Sequence, residues 1–207
     1  MSPTLHLLAI RIALGGRVLV ALDASIGAGE VLTVMGPSGS GKSTLLAYIA
    51  GFIDPAFQAG GRVILNGNDV TGMPAETRRI GLLFQDALLF PHLSVAGNLM
   101  FGLPRGPERR QQAEAALVQA GLAGYADRDP ATLSGGQQAR VALLRLLLSA
   151  PSAVLLDEPF AKLDSALRGE MRTLVFDRLR AAGLPAVLVT HDAADAEAAG
   201  GRIIRLD

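Results

Sequence analysis

Short apolar runs separated by turn residues open the chain and read as strands over residues 5–12, 18–21 and 31–35, with Gly15-Gly16 and Gly27-Ala28-Gly29 between them. The run Val31-Leu32-Thr33-Val34-Met35 is apolar on both faces, as a buried strand would be, and it leads straight into a glycine-rich stretch. A helix is predicted over 42–50. Residues 63–65, ending at Asn66-Gly67, read as a hairpin strand, and 80–84 as another. Between Pro91 and Pro151 the spacing of apolar positions becomes helical, over 95–103, 108–120 and 136–149. Strand and helix then alternate again: a strand at 153–156, a helix at 165–182, a strand at 186–190, a short helix, and a strand at 202–206. The pattern predicts an α/β fold in which a parallel core, residues 1–90 and 151–207, is interrupted by an all-helical insertion, residues 91–150.

Composition narrows this picture. The length of 207 residues fits a single domain over 1–207 with ample core. Half of the residues are hydrophobic, yet no apolar run approaches the roughly 18 uncharged residues of a membrane span. The densest stretch, 141–150, is broken by Arg145. The first nine residues carry neither a basic start nor a small-residue cleavage site, so a cytosolic location is expected. There is no cysteine, hence neither a disulfide framework nor a thiolate metal site. Net charge is zero and no basic stripe marks a nucleic-acid partner. Only Lys42 and Lys162 are lysines, and the first of them stands in the glycine-rich stretch.

That stretch is where the chemistry begins. Gly36-Pro37-Ser38-Gly39-Ser40-Gly41-Lys42-Ser43-Thr44 matches G-x-x-x-x-G-K-S between a strand and a helix. Glycines let successive N–H groups converge on phosphate oxygens, and the helix N-terminus adds its positive end. Lys42 is expected on the terminal phosphates and the Ser43 hydroxyl on Mg²⁺. Val154-Leu155-Leu156-Asp157-Glu158 is a buried strand ending in two acids, at the strand end where open α/β sheets bind ligands. Asp157 suits the metal; Glu158, one residue on, can activate a water. Leu133-Ser134-Gly135-Gly136-Gln137 opens the helix over 136–149. A capped helix start is the plain reading, but a second glycine there costs about 1 kcal/mol, which favours a second anion-binding loop. Gln85 and His191 each follow a strand. Gln85 can contact metal or water, or simply be solvated; His191 can contact phosphate, or be structural.

These residues in this order resemble the ATP-binding cassette (ABC) family over essentially the whole chain. The resemblance implies a P-loop NTPase (RecA-like) parallel core with an N-terminal antiparallel β-subdomain and an inserted all-helical subdomain. It makes Gly36 to Thr44 the Walker A loop, Gln85 the Q-loop glutamine at metal and water, and Ser134 to Gln137 the signature. Asp157 and Glu158 become the Walker B pair, Asp164 the D-loop aspartate at the nucleotide, and His191 the switch histidine. ATP and Mg²⁺ are implied, with the signature of one copy reading the ATP on the other copy's Walker A loop, in a head-to-tail homodimer that forms on ATP binding. Transmembrane permease subunits, a substrate-binding protein and a place on the cytoplasmic face of the inner membrane are implied with it. The segment from Phe84 to Val95 resembles stand-alone ATPase subunits of bacterial importers, the thiamine-type group among them.

Two positions depart from the family pattern. No Phe, Tyr or Trp precedes Tyr48, and Leu14 stands about where a base-stacking ring is expected, so base recognition is expected to be loose. The D-loop reads Ala161-Lys162-Leu163-Asp164 in place of the commoner Ser-Ala-Leu-Asp. The alternatives are an exporter or lipid-extraction ATPase, a non-transport DNA-repair or chromosome ATPase, and a regulator without turnover. The short separation of Gln85 from Ser134 leaves no room for the coiled coil of the second kind. The presence of Glu158 opposes the last.

Overall fold

The protein is described by a computed structural model over residues 3–206; positions 1, 2 and 207, the ends of the expected domain, lie outside the described residues. Strands β1 (Leu5–Leu14) and β2 (Arg17–Ile26) form a hairpin across Gly15 and Gly16, both at positive φ, the requirement of a tight two-residue turn that matches strand twist. Strand β3 (Val31–Met35) feeds helix α1 (Lys42–Ala50). Then come β4 (Gln58–Leu65), β5 (Asn68–Asp69) and β6 (Ile80–Leu83). Helices α2 (Val95–Gly102), α3 (Arg109–Gln119) and α4 (Gly135–Leu148) follow consecutively. The chain closes with β7 (Ala153–Asp157), α5 (Ser165–Ala181), β8 (Ala186–Thr190), α6 (Ala193–Ala199) and β9 (Ile203–Arg205). None of these helices is long and apolar enough to cross a membrane.

Two sheets result, as the α/β reading predicts. One is antiparallel in the order β2-β1-β4-β5; the other is parallel in the order β6-β7-β8-β3-β9. In the parallel sheet, alternate residues supply two cores. Leu32, Val34, Leu155, Val187 and Val189 face α1 and the antiparallel sheet, while Val154, Leu156, Ala186 and Leu188 face α4 and α5. Helices α2, α3 and α4 share a third cluster around Leu99, Leu117 and Val141.

Strands β2 and β4 run well beyond what the sequence pattern predicts. Strand β2 continues past residue 21 because Leu22, Ala24 and Ile26 remain buried, with Asp23 and Ser25 on the wet face hiding the alternation. Strand β4 starts at residue 58 and contains Gly60-Gly61. Strand β1 bulges there, with Ala9 at φ 49, and a Cβ on Gly61 would lie 2.5 Å from the Ala9 carbonyl oxygen. These glycines are a strand making room for a bulge.

Register positions the site. Met35 pairs with Thr190, Leu83 with Leu156, and Asp157 with Val189. Parallel strands that end level deliver Gly36, Phe84, Glu158 and His191 to one edge of the sheet. The buried guanidinium of Arg78 secures the far end of α1, donating to the carbonyls of Tyr48 and Ile49 as well as those of Thr71 and Met73.

Candidate active site

The loop between β3 and α1 is built to meet an anion. Gly41, the N-cap of α1, has φ 91; no side chain caps this helix and no acid occupies its first turn. Gly39 has φ 82 and nothing within 4 Å of where a Cβ would stand, so its open side faces the cleft. Gly36 has no such freedom: a Cβ there would come within 2.7 Å of Ser40 Oγ and 2.8 Å of the Leu206 carbonyl oxygen. Lys42 is only 7% exposed, and its ammonium donates to the carbonyls of Gly36 and Pro37, both at 2.8 Å. A cation held beside open N–H groups by two neutral acceptors is available to phosphate oxygens.

Beside this loop lies a cleft of about 350 Å³ lined by Ser38, Gly39, Lys42, Ser43, Thr44 and Glu158, and at its apolar end by Leu14, Leu19 and Phe57. A second cleft of about 390 Å³ is lined by Ser43, Gln85, Asp86, Asp157 and Glu158. Ser43 and Glu158 belong to both. The structure therefore brings the glycine-rich loop, Gln85, Asp157 and Glu158 together, although they come from three strand ends far apart in sequence.

Within that junction, Ser43 Oγ donates to Asp157 Oδ1 at 3.1 Å. Burial raises the Asp157 carboxyl above its ordinary range; the Ser43 hydrogen bond opposes this, the Glu158 charge adds to it, and Lys42 opposes it. Glu158 has φ 44, in the left-handed region that costs a non-glycine residue of order 1 kcal/mol, and its N–H is fastened to the Val189 carbonyl. Its carboxylate lies 3.1 Å from His191 Nδ1, joining the two chain ends.

His191 sits in a braced loop. Arg172 Nε donates to Asp195 at 2.6 Å, and Asp192 receives guanidinium N–H groups from Arg172 at 3.0 Å and Arg168 at 3.2 Å. Arg168 also donates to the Leu163 carbonyl, tying this loop to residues 161–164. Burial pushes the Asp192 carboxyl up. The Ala194 N–H and the charges of Arg172 and Arg168 outweigh that and hold it below the usual carboxylate range. A carboxyl lowered in the fold contributes stability that is complete above its unfolded value, about 3.9, and is lost as pH falls through the lowered value. Asp192→Asn is therefore expected to lower the melting temperature at pH 7, with the gap to wild type closing progressively below about pH 4 in thermal melts followed by circular dichroism. A gap independent of pH would remove the charge from this account.

Residues 134–137 line neither cleft. Ser134 caps α4, its Oγ accepting from the Gln137 N–H at 3.3 Å. The Gln137 side chain returns the bond to Ser134 N–H at 3.0 Å and donates to the Tyr125 hydroxyl. The second glycine also answers to packing: a Cβ on Gly136 would lie 2.2 Å from Leu167 Cδ2, so α4 and α5 approach closely there. Gly135 is the open one, with nothing within 4 Å. Asp164 caps α5 through the Leu167 N–H.

Two arrangements were missed by sequence reasoning. Phe57 reaches the loop cleft, and Lys162 pairs with Asp86, next to Gln85. The first was hidden by the unrecognised start of β4; the second has no local signal at all.

A glycine-rich loop joining a parallel strand to a helix, with a carboxylate from a neighbouring strand on the loop's serine, defines a P-loop nucleotide-binding protein. A family model described as ABC transporter matches residues 19–161. The chain is 48% identical over 185 residues to the uncharacterized ABC transporter ATP-binding protein YnjD of Escherichia coli K12, covering 88% of this chain and 85% of that protein. It is 45% identical over 207 residues to the thiamine import ATP-binding protein ThiQ of a Jannaschia species, covering 98% and 89%. With the spermidine/putrescine import ATP-binding protein PotA of Frankia alni it shares 46% over 195 residues, covering 91% of this chain and 41% of that protein. The chain belongs to the ABC transporter family, as one of its ATP-binding ATPases.

Proposed function

We propose that this chain is the ATP-hydrolysing subunit of a bacterial importer, and that two copies close head-to-tail around two ATP molecules to drive a membrane permease from the cytoplasmic face. The observation that carries the two-copy reading is the position of Ser134 and Gly135. They form an open, capped helix start that lines neither cleft of its own chain, so a phosphate reaching it comes from another copy. Relatives named for thiamine and spermidine/putrescine import support import over export, and a substrate-binding protein would complete such a system.

The geometry supports a role for each residue of the site. Lys42 exchanges the carbonyls of Gly36 and Pro37 for oxygens of the terminal phosphates, and Gly39 and Gly41 keep the loop N–H groups turned to the same anion. The Ser43 hydroxyl and the Asp157 carboxylate are two hard oxygens, 3.1 Å apart, and suit a small cation that takes its remaining ligands from phosphates and water. Those two, with Gln85 beside them, would hold Mg²⁺, which supplies charge neutralisation on the phosphate oxygens. Glu158 accepts a proton from the attacking water as its oxygen bonds to the γ-phosphorus; the bond to the bridging oxygen breaks, releasing ADP and phosphate. His191 holds the Glu158 carboxylate in place and reaches for the γ-phosphate. Asp164, at the head of α5, approaches the nucleotide from the dimer side.

A groove of about 450 Å³ lined by Phe84, Leu88, Phe90, Phe101 and Arg145 supports docking of the permease. Phe101 is 66% exposed, and Arg145 donates to the carbonyls of Ala87 and Leu88, linking the groove to the segment that carries Gln85. The test is to tag the chain in its own bacterium and isolate membranes. The chain is expected to copurify with a permease. Phe101→Asp is expected to release it while leaving basal ATPase activity within about twofold. A wild-type chain recovered without any membrane protein would contradict the reading.

A further inference from the structure

The cleft beside the glycine-rich loop is lined by two kinds of side chain. The polar ones come from Ser38, Lys42, Ser43, Thr44 and Glu158; the apolar ones are Leu19, beside Gly41, and Leu14 and Phe57 at the β1–β4 end of the antiparallel sheet. A nucleoside triphosphate laid with its phosphates on the loop brings its base to that apolar end.

Phe57 arrives there through strand pairing. Ala13 pairs with Gln58 at the end of the antiparallel β1–β4 ladder, and Leu14 and Phe57 are the residues just beyond that last pair on either side. The aromatic ring absent from position 14 is thus supplied one strand over. The Phe57 N–H donates to the Asp54 carbonyl at 3.0 Å, while the Asp54 carboxylate accepts from the Ala56 N–H at 2.8 Å, so a short turn sets the ring's approach. The ring is half-buried against the core that contains α1 and still borders the cleft; Leu14 beside it is exposed.

We infer that Phe57, with Leu14, is the seat of the nucleotide base and that this seat does not distinguish purines, so that the chain binds GTP within about tenfold of ATP. This rests on the reading that the cleft holds a nucleoside triphosphate. Adenine and guanine differ at their polar edges, and strong rejection of one needs a side chain placed to hydrogen-bond the other. The apolar end provides none. Stacking uses the ring face, which every base possesses.

The test is calorimetric titration of the isolated chain with the non-hydrolysable β,γ-imido analogues of ATP and GTP and with inorganic tripolyphosphate, which has no base. Wild type is expected to bind the two analogues within about tenfold of each other. Phe57→Ala is expected to weaken both by about tenfold and leave tripolyphosphate within about twofold. Because the ring also packs on the core, Phe57→Leu provides a variant that keeps apolar bulk; it is expected to weaken both analogues about fivefold, and Phe57→Tyr to preserve them. Unchanged analogue binding in Phe57→Leu would overturn the seat, as would an equal loss of tripolyphosphate. A guanine analogue more than about tenfold weaker on wild type would overturn the lack of discrimination. Wild-type binding of tripolyphosphate but of neither analogue would instead remove the nucleotide reading on which both rest.

Discussion

Glu158→Gln is expected to bind ATP as wild type does and to hydrolyse it at least about a hundredfold more slowly. Binding is spared because the groups facing the phosphates are Lys42, Ser43 and the loop N–H groups, while Asp157 holds the serine. Glu158 touches neither lysine nor serine; its carboxylate faces His191 at 3.1 Å. The amide keeps the shape and can still receive a hydrogen bond from His191, but it cannot take a proton from water. The substitution also relieves the charge that Glu158 places beside Asp157, so metal-dependent binding is not expected to suffer. With hydrolysis blocked, the ATP-bound pair of copies should persist through size-exclusion chromatography in Mg-ATP. Near-normal turnover would remove Glu158 from the chemistry and leave its left-handed backbone without a functional reason.

Ser134→Arg is expected to abolish ATP turnover while the single chain's ATP affinity stays within about twofold. The substitution puts a long cation at the open start of α4, beside Gly135, a place that no ligand in the chain's own clefts touches. It also removes a helix cap worth about 1 kcal/mol, so Ser134→Ala is the control. The alanine variant loses the Gln137 N–H bond without adding bulk and is expected to retain measurable turnover where the arginine variant has none. If arginine weakens binding to the isolated chain, residues 134–137 serve their own chain's site and the head-to-tail arrangement is wrong.

The legible parts of this fold are those in which local and tertiary demands agree. Residues 31–35 and 186–190 read as strands because both faces are buried, and the structure places β3 and β8 over the same bounds. Ser134 announces the start of α4 because an N-cap is a local device. Where a residue answers to something distant, the sequence misleads. Gly60-Gly61 gives no strand signal until the bulge at Ala9 is seen across from it. The packing of Leu167 on Gly136 has no sign in the sequence around either residue. In the candidate site, Gly36 to Thr44 and the acidic pair were legible from motif and spacing. The contacts between Ser43 and Asp157 and between Glu158 and His191 required the sheet register. Phe57 required the register of a different sheet, just ahead of a strand whose first half does not look like one.

The absence of cysteine makes the two-copy arrangement directly measurable. Ser38 lines the loop cleft, and Gly135 has open space where a side chain would stand, so Ser38→Cys with Gly135→Cys introduces two thiols into a thiol-free chain at sites that tolerate them. In a head-to-tail pair closed on ATP, each loop faces the other copy's α4 start. Mild oxidation is then expected to yield a disulfide-linked dimer on non-reducing gels in Mg-ATP, and monomer without nucleotide, with each single-cysteine variant failing to give the ATP-dependent band. A double-cysteine chain that stays monomeric in Mg-ATP, or cross-links equally without nucleotide, would contradict the claim that two copies share each ATP.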